Sequence, residues 1–124
     1  MNGLLWVVAA LLAVAFTMAG INHGLRPKER LKAQMPWTED FSQGQLRGIG
    51  LLELLAAVGL VLPPLLGVAE WLCPVAASGL VLLMSGAVRT HIRRGDPLAH
   101  KLIPALLGLL AAFVAIGRFW IEPF

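Results

Sequence analysis

Charged residues are scarce in this sequence, and their scarcity excludes several classes of protein. They make up 14% of the 124 residues, against about 25% in an ordinary soluble domain. Hydrophobic residues make up 58% and the mean hydropathy is +0.79, which excludes an intrinsically disordered chain. Cys73 is the one cysteine, so the chain is not a disulfide scaffold. The length excludes a two-domain soluble enzyme.

Motifs that hold phosphates, metals or catalytic groups are also missing. There is no Gly-rich phosphate loop, no Ser-His-Asp arrangement and no pair of catalytic carboxylates. His23, His91 and His100 lack a ligand spacing such as His-x-x-x-His, so we expect no metal site. His100 falls in or beside a connection, and we expect it to be solvated. We therefore name no catalytic residue and expect no catalytic activity of the chain on its own.

Four long apolar runs predict an all-α membrane protein whose four transmembrane helices pack as a bundle. A helix needs about 20 apolar residues to cross a bilayer core about 30 Å thick. The spans are expected at about residues 4–23, 45–63, 72–91 and 98–121, within a single domain of residues 1–124. They leave one long connection, residues 24–44, which we expect to lie at the membrane interface.

Local signals mark the helix ends. Ser42 followed by Gln45 fits a capping box and predicts that the second long helix begins before its apolar run. Pro63 and Pro64 predict its end, because proline has no N–H with which to continue a helix. The first apolar run is longer than a signal-peptide core and is not preceded by lysine or arginine, so we expect a retained span.

Lysine and arginine are concentrated around two connections, residues 24–44 and 92–97. The positive-inside rule places both connections in the cytoplasm and both termini outside. Trp6, Trp71 and Trp120 lie at three helix ends that share the opposite face, where indole rings favour the interface. The net charge of +3 therefore reports membrane orientation rather than nucleic-acid binding.

Small residues predict where the helices touch, because burial of leucine does little to drive association in lipid. The glycines expected at helix contacts are Gly20, Gly24, Gly50, Gly59, Gly79, Gly86 and Gly108. Such positions fit a compact bundle, and they also fit a surface for homo-oligomerisation. The sequence leaves both alternatives open.

Glu53 is the sharpest polar signal, since an ionisable group within a span costs about 2.5–3.5 kcal/mol on insertion scales. It lies about 10 Å beyond Leu46 along the helix, nearer the cytoplasmic face. We expect it to pair with Arg89, with His91 or with His23. The expected polar cluster comprises Glu53, Arg89, His91, Arg47, His23 and Asn22. The cluster either fixes helix register as a structural pair or binds a headgroup, a quinone or a proton.

The run from Arg47 to Pro63 resembles the second span of the DoxX-like family, in which an arginine precedes glycine, glutamate and a Gly-Leu-x-x-Pro ending. The segment from Ala87 to Gly95 resembles the ending of that family's third span. The residues from Gly20 to Leu25 and from Gly117 to Phe119 also fit. The resemblance covers nearly the whole chain. It implies a four-helix membrane bundle with Arg47, Glu53 and His91 as family-like polar residues.

The resemblance implies a location and two alternative functions. Family members resemble small subunits of thiosulfate:quinone oxidoreductases, membrane partners of redox enzymes and, in animals, assembly chaperones for ligand-gated ion channels. The first hypothesis is an accessory or assembly subunit that needs no cofactor and acts through a membrane or membrane-associated protein partner, with a redox-related role left open. The alternative is a quinone- or lipid-binding subunit that uses the Glu/Arg/His cluster. The expected location is the bacterial inner (plasma) membrane.

Overall fold

The structure, a computed structural model that describes residues 1–124, contains helices and no strands, which confirms the predicted fold class. It has five α-helices, with a short 3₁₀ turn, Pro36–Asp40, between the second and the third and a π turn, Gly117–Ile121, after the fifth. The α-helices are α1 (Asn2–Leu25), α2 (Lys28–Gln34), α3 (Gln43–Leu66), α4 (Leu72–Arg94) and α5 (Leu98–Ile116).

Four of these helices are long and apolar enough to cross a membrane. They are α1, α3, α4 and α5 with its π turn, and each has 23 or 24 residues. A helix of that length extends about 35 Å, more than the thickness of a bilayer core. Each helix contains the span predicted for it, while α2 and the 3₁₀ turn occupy most of the predicted interfacial connection.

The two ends of α3 show one prediction confirmed and one wrong. Gln45 N donates to Ser42 Oγ at 3.1 Å and Ser42 N donates to Gln45 Oε1 at 2.9 Å, so the capping box is present. Pro63 and Pro64, predicted to end the helix, lie inside its last turn. The helix continues to Leu66, because proline lacks an N–H but keeps a carbonyl acceptor: Val68 N donates to Pro63 O at 3.1 Å. Gly67, in the left-handed region at φ +70°, then ends the helix.

The long helices form a closed ring in which α1 packs on α3, α3 on α4, α4 on α5 and α5 on α1. Consecutive spans run in opposite directions, so the ring has two distinct ends. The covered end carries residues 26–42 and 95–97, and the terminal end carries both chain termini and residues 67–71. Interior residues such as Leu12, Phe16, Leu60, Leu80 and Val114 form the core, while most other leucines lie on the outer surface.

The closest helix approach is between α1 and α3, where glycines face each other. A Cβ on Gly50 would lie 2.5 Å from Gly24 N and 2.7 Å from Gly20 O, so only glycine fits. A Cβ on Gly20 would in turn lie 2.8 Å from Gly50 O. Backbones that approach this closely gain packing contacts that lipid cannot replace.

The other expected packing glycines divide into two groups. Gly59 faces Ala76 across α3 and α4, and Gly108 faces Met84 across α5 and α4. Gly79 and Gly86 have no atom within 4 Å of a built Cβ, so the prediction of helix contacts there is corrected. Both positions are exposed. Gly117, which the sequence did not single out, lies against the Leu5 side chain.

The terminal end is closed around Arg118, which is only 4% exposed. Its Nη1 donates to Glu122 O at 2.9 Å, and its guanidinium carbon lies 4.0 Å from the centroid of the Phe124 ring. Trp6 packs edge-on against Phe124 with ring centroids 5.8 Å apart. Cation–π and aromatic contacts therefore hold the two chain termini together at this end.

A candidate ligand cavity at the covered end

A cavity of about 550 Å³ lies inside the covered end of the bundle. Its walls are mainly apolar and come from α1, α4 and α5, with Ala19, Leu83, Ala87 and Leu107 among them. The 3₁₀ turn and the residues around it close the end through Trp37 and other side chains. The cavity therefore has an apolar body within the span and a polar, aromatic end near the membrane interface.

His23 and Glu53 meet at this polar end. His23 Nδ1 lies 2.5 Å from Glu53 Oε1, and both residues are buried and line the cavity. They project from α1 and α3 next to the glycine crossing, which brings the two backbones close enough for short side chains to join. A buried carboxylate needs such a partner, because an unpaired charge in this environment is strongly unfavourable.

The second ring nitrogen of His23 has no partner. His23 is 7% exposed, and its Nε2 makes no hydrogen bond with any protein atom. Buried polar atoms are nearly always hydrogen-bonded, so an orphaned one requires an explanation. Because His23 lines the cavity, this nitrogen is available to a molecule that enters it.

The structure separates the remaining members of the expected polar cluster. Arg47 and Arg89 are exposed and form no ion pair with Glu53, which corrects their expected place in an inward cluster. Arg89 lies one turn beyond Ser85, which is also exposed, so this polar stripe of α4 faces outward. Asn22 is half-buried, and its backbone carbonyl accepts a hydrogen bond from Arg26 N at 3.2 Å.

His91 reaches the cavity but is paired elsewhere. Its Nδ1 lies 2.6 Å from Asp96 Oδ2 across the turn between α4 and α5. The hydrogen bond from His91 lowers the pKa of Asp96 below its ordinary value, and the nearby charge of Arg94 acts in the same direction against the opposing effect of desolvation. Of the expected cluster, only His23 and Glu53 pair with each other, while His91 pairs with Asp96, which the sequence analysis did not include.

Trp37 and His100 are cavity residues that the sequence did not reveal. The Trp37 ring packs edge-on against His23, Phe41 and His91, with centroid distances of 5.3, 5.6 and 6.3 Å. His100 was expected to be solvated; it is exposed, yet it also lines the cavity and packs against His91 at 5.8 Å. One signal was present: Trp37 is the only tryptophan outside the three helix ends of the terminal face.

Arg94 holds in place the 3₁₀ turn Pro36–Asp40, which forms the cover of the cavity. Its Nη1 lies 3.2 Å from Glu39 Oε1 and 3.0 Å from Asp40 Oδ1, while its Nε lies 3.4 Å from Asp96 Oδ2. The guanidinium therefore links the 3₁₀ turn to the end of α4. A planar guanidinium with several donors is suited to bridging carboxylates in this way.

Comparison with known proteins identifies one family. A sequence model of the DoxX-like family matches residues 7–114, a range that contains every residue named above at the cavity. No curated protein and no solved structure matches the chain significantly.

Proposed function

The chain belongs to the DoxX-like family and is an integral membrane protein, and within this family we propose that it is a subunit that binds a quinone in the cavity at its covered end. The observation that carries the proposal is the orphaned Nε2 of His23, a buried hydrogen-bonding atom on the wall of a mainly apolar cavity. A ligand with an apolar body and a polar ring oxygen would satisfy it.

The size and lining of the cavity support a ligand of this kind. A volume of about 550 Å³ falls within the range of small-molecule sites, about 300–1,000 Å³. The Trp37 and Phe41 rings lie at the polar end, where they offer faces and edges to a flat ring. The apolar walls of α4 and α5 suit a hydrocarbon tail.

The His23–Glu53 pair suits both redox forms of a quinone. When neutral His23 donates from Nδ1 to ionised Glu53, Nε2 is an acceptor and can receive the hydroxyl of a quinol. When the pair carries one more proton, Nε2–H is a donor and can bond the carbonyl oxygen of a quinone. Nε2 can therefore form a hydrogen bond with either redox form of the ligand.

Access from the membrane supports a lipophilic ligand. Leu82 on α4 and Ile103 on α5 line the cavity and are 75% and 62% exposed on the outer surface. The cavity thus extends to the side of the bundle that faces the lipid. A quinone dissolved in the bilayer would enter by this side without crossing water.

A partner protein completes the proposal. A redox role needs a donor or acceptor of electrons, and the single cysteine, Cys73, cannot cycle between dithiol and disulfide. We therefore assign the electrons to a membrane or membrane-associated partner, for which this chain is the accessory subunit. The basic residues around both connections favour a cytoplasmic position for the covered end. A reporter enzyme that is active only outside the cytoplasm should then be active when it is fused after Phe124.

Trp37 provides a local probe of quinone binding. The other tryptophans are replaced in the background variant Trp6→Phe, Trp71→Phe, Trp120→Phe, and a short-chain quinone is titrated into the protein in detergent. We expect saturable quenching of the Trp37 fluorescence. Ala19→Phe, which fills the cavity, should weaken binding at least about tenfold, and His23→Gln should weaken it roughly threefold to tenfold through one lost hydrogen bond.

Ala10→Phe is the matched control, because Ala10 is exposed on the same helix and does not line the cavity. It should leave the quinone affinity unchanged. Quenching that does not saturate, or that is equal in Ala19→Phe and Ala10→Phe, would reject the quinone site. Native mass spectrometry of the gently extracted protein separates the alternatives: a phospholipid mass in the cavity would indicate a lipid site, and a bare chain with a second polypeptide would indicate an accessory role alone.

A further inference from the structure

The turn between α4 and α5 brings together three side chains that ligate metals. One ligand atom each from His91, Asp96 and His100 lie within 4.8 Å of one another. The two imidazole rings are 5.8 Å apart between centroids and are inclined by 69°. His91 is buried, Asp96 half-buried and His100 exposed, so the group lies at the boundary between the bundle and water.

The backbone fixes the three residues in this arrangement. Gly95 ends α4 in the left-handed region at φ +69°, and Asp96 N donates to His91 O at 3.0 Å. Pro97 then precedes α5, and His100 N donates to Pro97 O at 3.0 Å. His91 therefore stands on the last turn of one helix and His100 on the first turn of the next, with Asp96 between them.

We propose that His91, Asp96 and His100 bind one divalent transition-metal ion of borderline softness, for which Zn²⁺ is the probe. Two imidazole nitrogens and one carboxylate oxygen form a donor set that such ions favour over the oxygen-only set of Mg²⁺ or Ca²⁺. Three protein ligands leave a fourth position for water or another ligand. Because His91 and His100 both line the cavity, the three residues are adjacent to its polar end.

Arg94 does not occupy the Asp96 carboxylate. Its Nη1 donates to Glu39 Oε1 at 3.2 Å and lies 3.0 Å from Asp40 Oδ1. Its Nε lies 3.4 Å from Asp96 Oδ2 but forms no hydrogen bond with it. The Asp96 carboxylate is therefore available to a cation held with His91 and His100.

Binding of an ion would replace the hydrogen bond between His91 and Asp96. His91 Nδ1 and Asp96 Oδ2 lie 2.6 Å apart. Two ligand atoms of a tetrahedral Zn²⁺ at about 2.0–2.1 Å are separated by roughly 3.3 Å, so the two side chains would move slightly apart to hold the ion.

Calorimetry of the full chain tests the site. The protein is purified in detergent, freed of its affinity tag, treated with chelator and titrated with Zn²⁺ at neutral pH. We expect one equivalent of Zn²⁺ to bind saturably. Asp96→Asn and His100→Ala should each weaken Zn²⁺ binding at least about tenfold. His100 is exposed, so its replacement leaves the core intact even if His91→Ala fails to fold.

Glu29→Gln is the matched control for Asp96→Asn, because it removes one carboxylate from the exposed surface of α2, outside the three ligands. Its Zn²⁺ affinity should equal that of the wild type. Absence of saturable binding, or equal affinities in wild type, Asp96→Asn and His100→Ala, would overturn the proposal. No quinone is present in this titration, so its outcome is independent of the cavity's proposed ligand.

Discussion

His23 of α1 and Glu53 of α3 join across the crossing at which Gly20, Gly24 and Gly50 bring the two helices together, with His23 Nδ1 2.5 Å from Glu53 Oε1. The pair therefore has two consequences. It satisfies a carboxylate buried within a membrane span, and it orients the imidazole so that Nε2 remains for the cavity. The structural and functional interpretations of Glu53 thus describe two sides of one contact.

The strength of this pair can be measured by a double-mutant cycle of His23→Gln and Glu53→Gln. Buried residues in direct contact couple by about 0.5–3 kcal/mol, and we expect a value within this range for the pair. The measurement is the free energy of unfolding in mixed detergent micelles. The control cycle combines Arg47→Gln with His23→Gln. Arg47 lies on α3, as Glu53 does, but it is exposed, so its coupling energy with His23 should be near zero. Unchanged stability in Glu53→Gln would reject a role in helix register.

The glycine crossing predicts a sharp difference between two neighbouring positions of α3. Gly50→Ala places a methyl group against the backbone of Gly24 and Gly20, and we expect a loss of about 1–3 kcal/mol from overpacking. Gly48→Ala meets no atom within 4 Å and should be neutral, or stabilising by up to about 1 kcal/mol through helix propensity. Thermal unfolding of both variants in the same detergent compares them. Equal stabilities would show that the crossing is not close-packed.

The four long helices could be predicted from sequence because a bilayer imposes one length and one hydropathy on every span. The capping box at Ser42 was equally readable, since it depends on two residues within one turn. The prediction that Pro63 and Pro64 end the helix was wrong because their carbonyls still accept hydrogen bonds from the N–H groups of residues 67 and 68. Those bonds depend on the residues that follow the prolines.

The site was only half predictable for a physical reason. Glu53 stood out because a carboxylate in an apolar run demands a partner, but an apolar run does not fix the rotation of neighbouring helices. Sequence therefore left His23, His91 and Arg89 as equal choices. The position of Trp37 depends on how the 3₁₀ turn packs over the bundle, and so do the contacts of Arg94 with Glu39 and Asp40. This packing is tertiary structure, which no local sequence pattern indicates.

Arg94 should control how firmly the cover is held. Arg94→Gln removes the guanidinium that lies close to Glu39, Asp40 and Asp96, and we expect amide hydrogen exchange in the 3₁₀ turn to accelerate roughly fivefold. Hydrogen–deuterium exchange with mass spectrometry reports this segment directly. Arg93→Gln is the control, because Arg93 is exposed and forms no ion pair. Identical exchange in the two variants would mean that apolar packing of Trp37 holds the cover instead.

Asp96 should make stability depend on acid pH. Its pKa is lowered in the folded protein, chiefly by the hydrogen bond from His91. A carboxyl of this kind stabilises the fold fully above its ordinary pKa, and the contribution disappears as the pH falls through the lowered value. Wild type should therefore exceed Asp96→Asn in melting temperature at pH 7 and approach it below about pH 4. Thermal unfolding from pH 7 to pH 2.5 measures both, with Glu29→Gln as a control that follows the wild type. Parallel curves for wild type and Asp96→Asn would contradict the linkage.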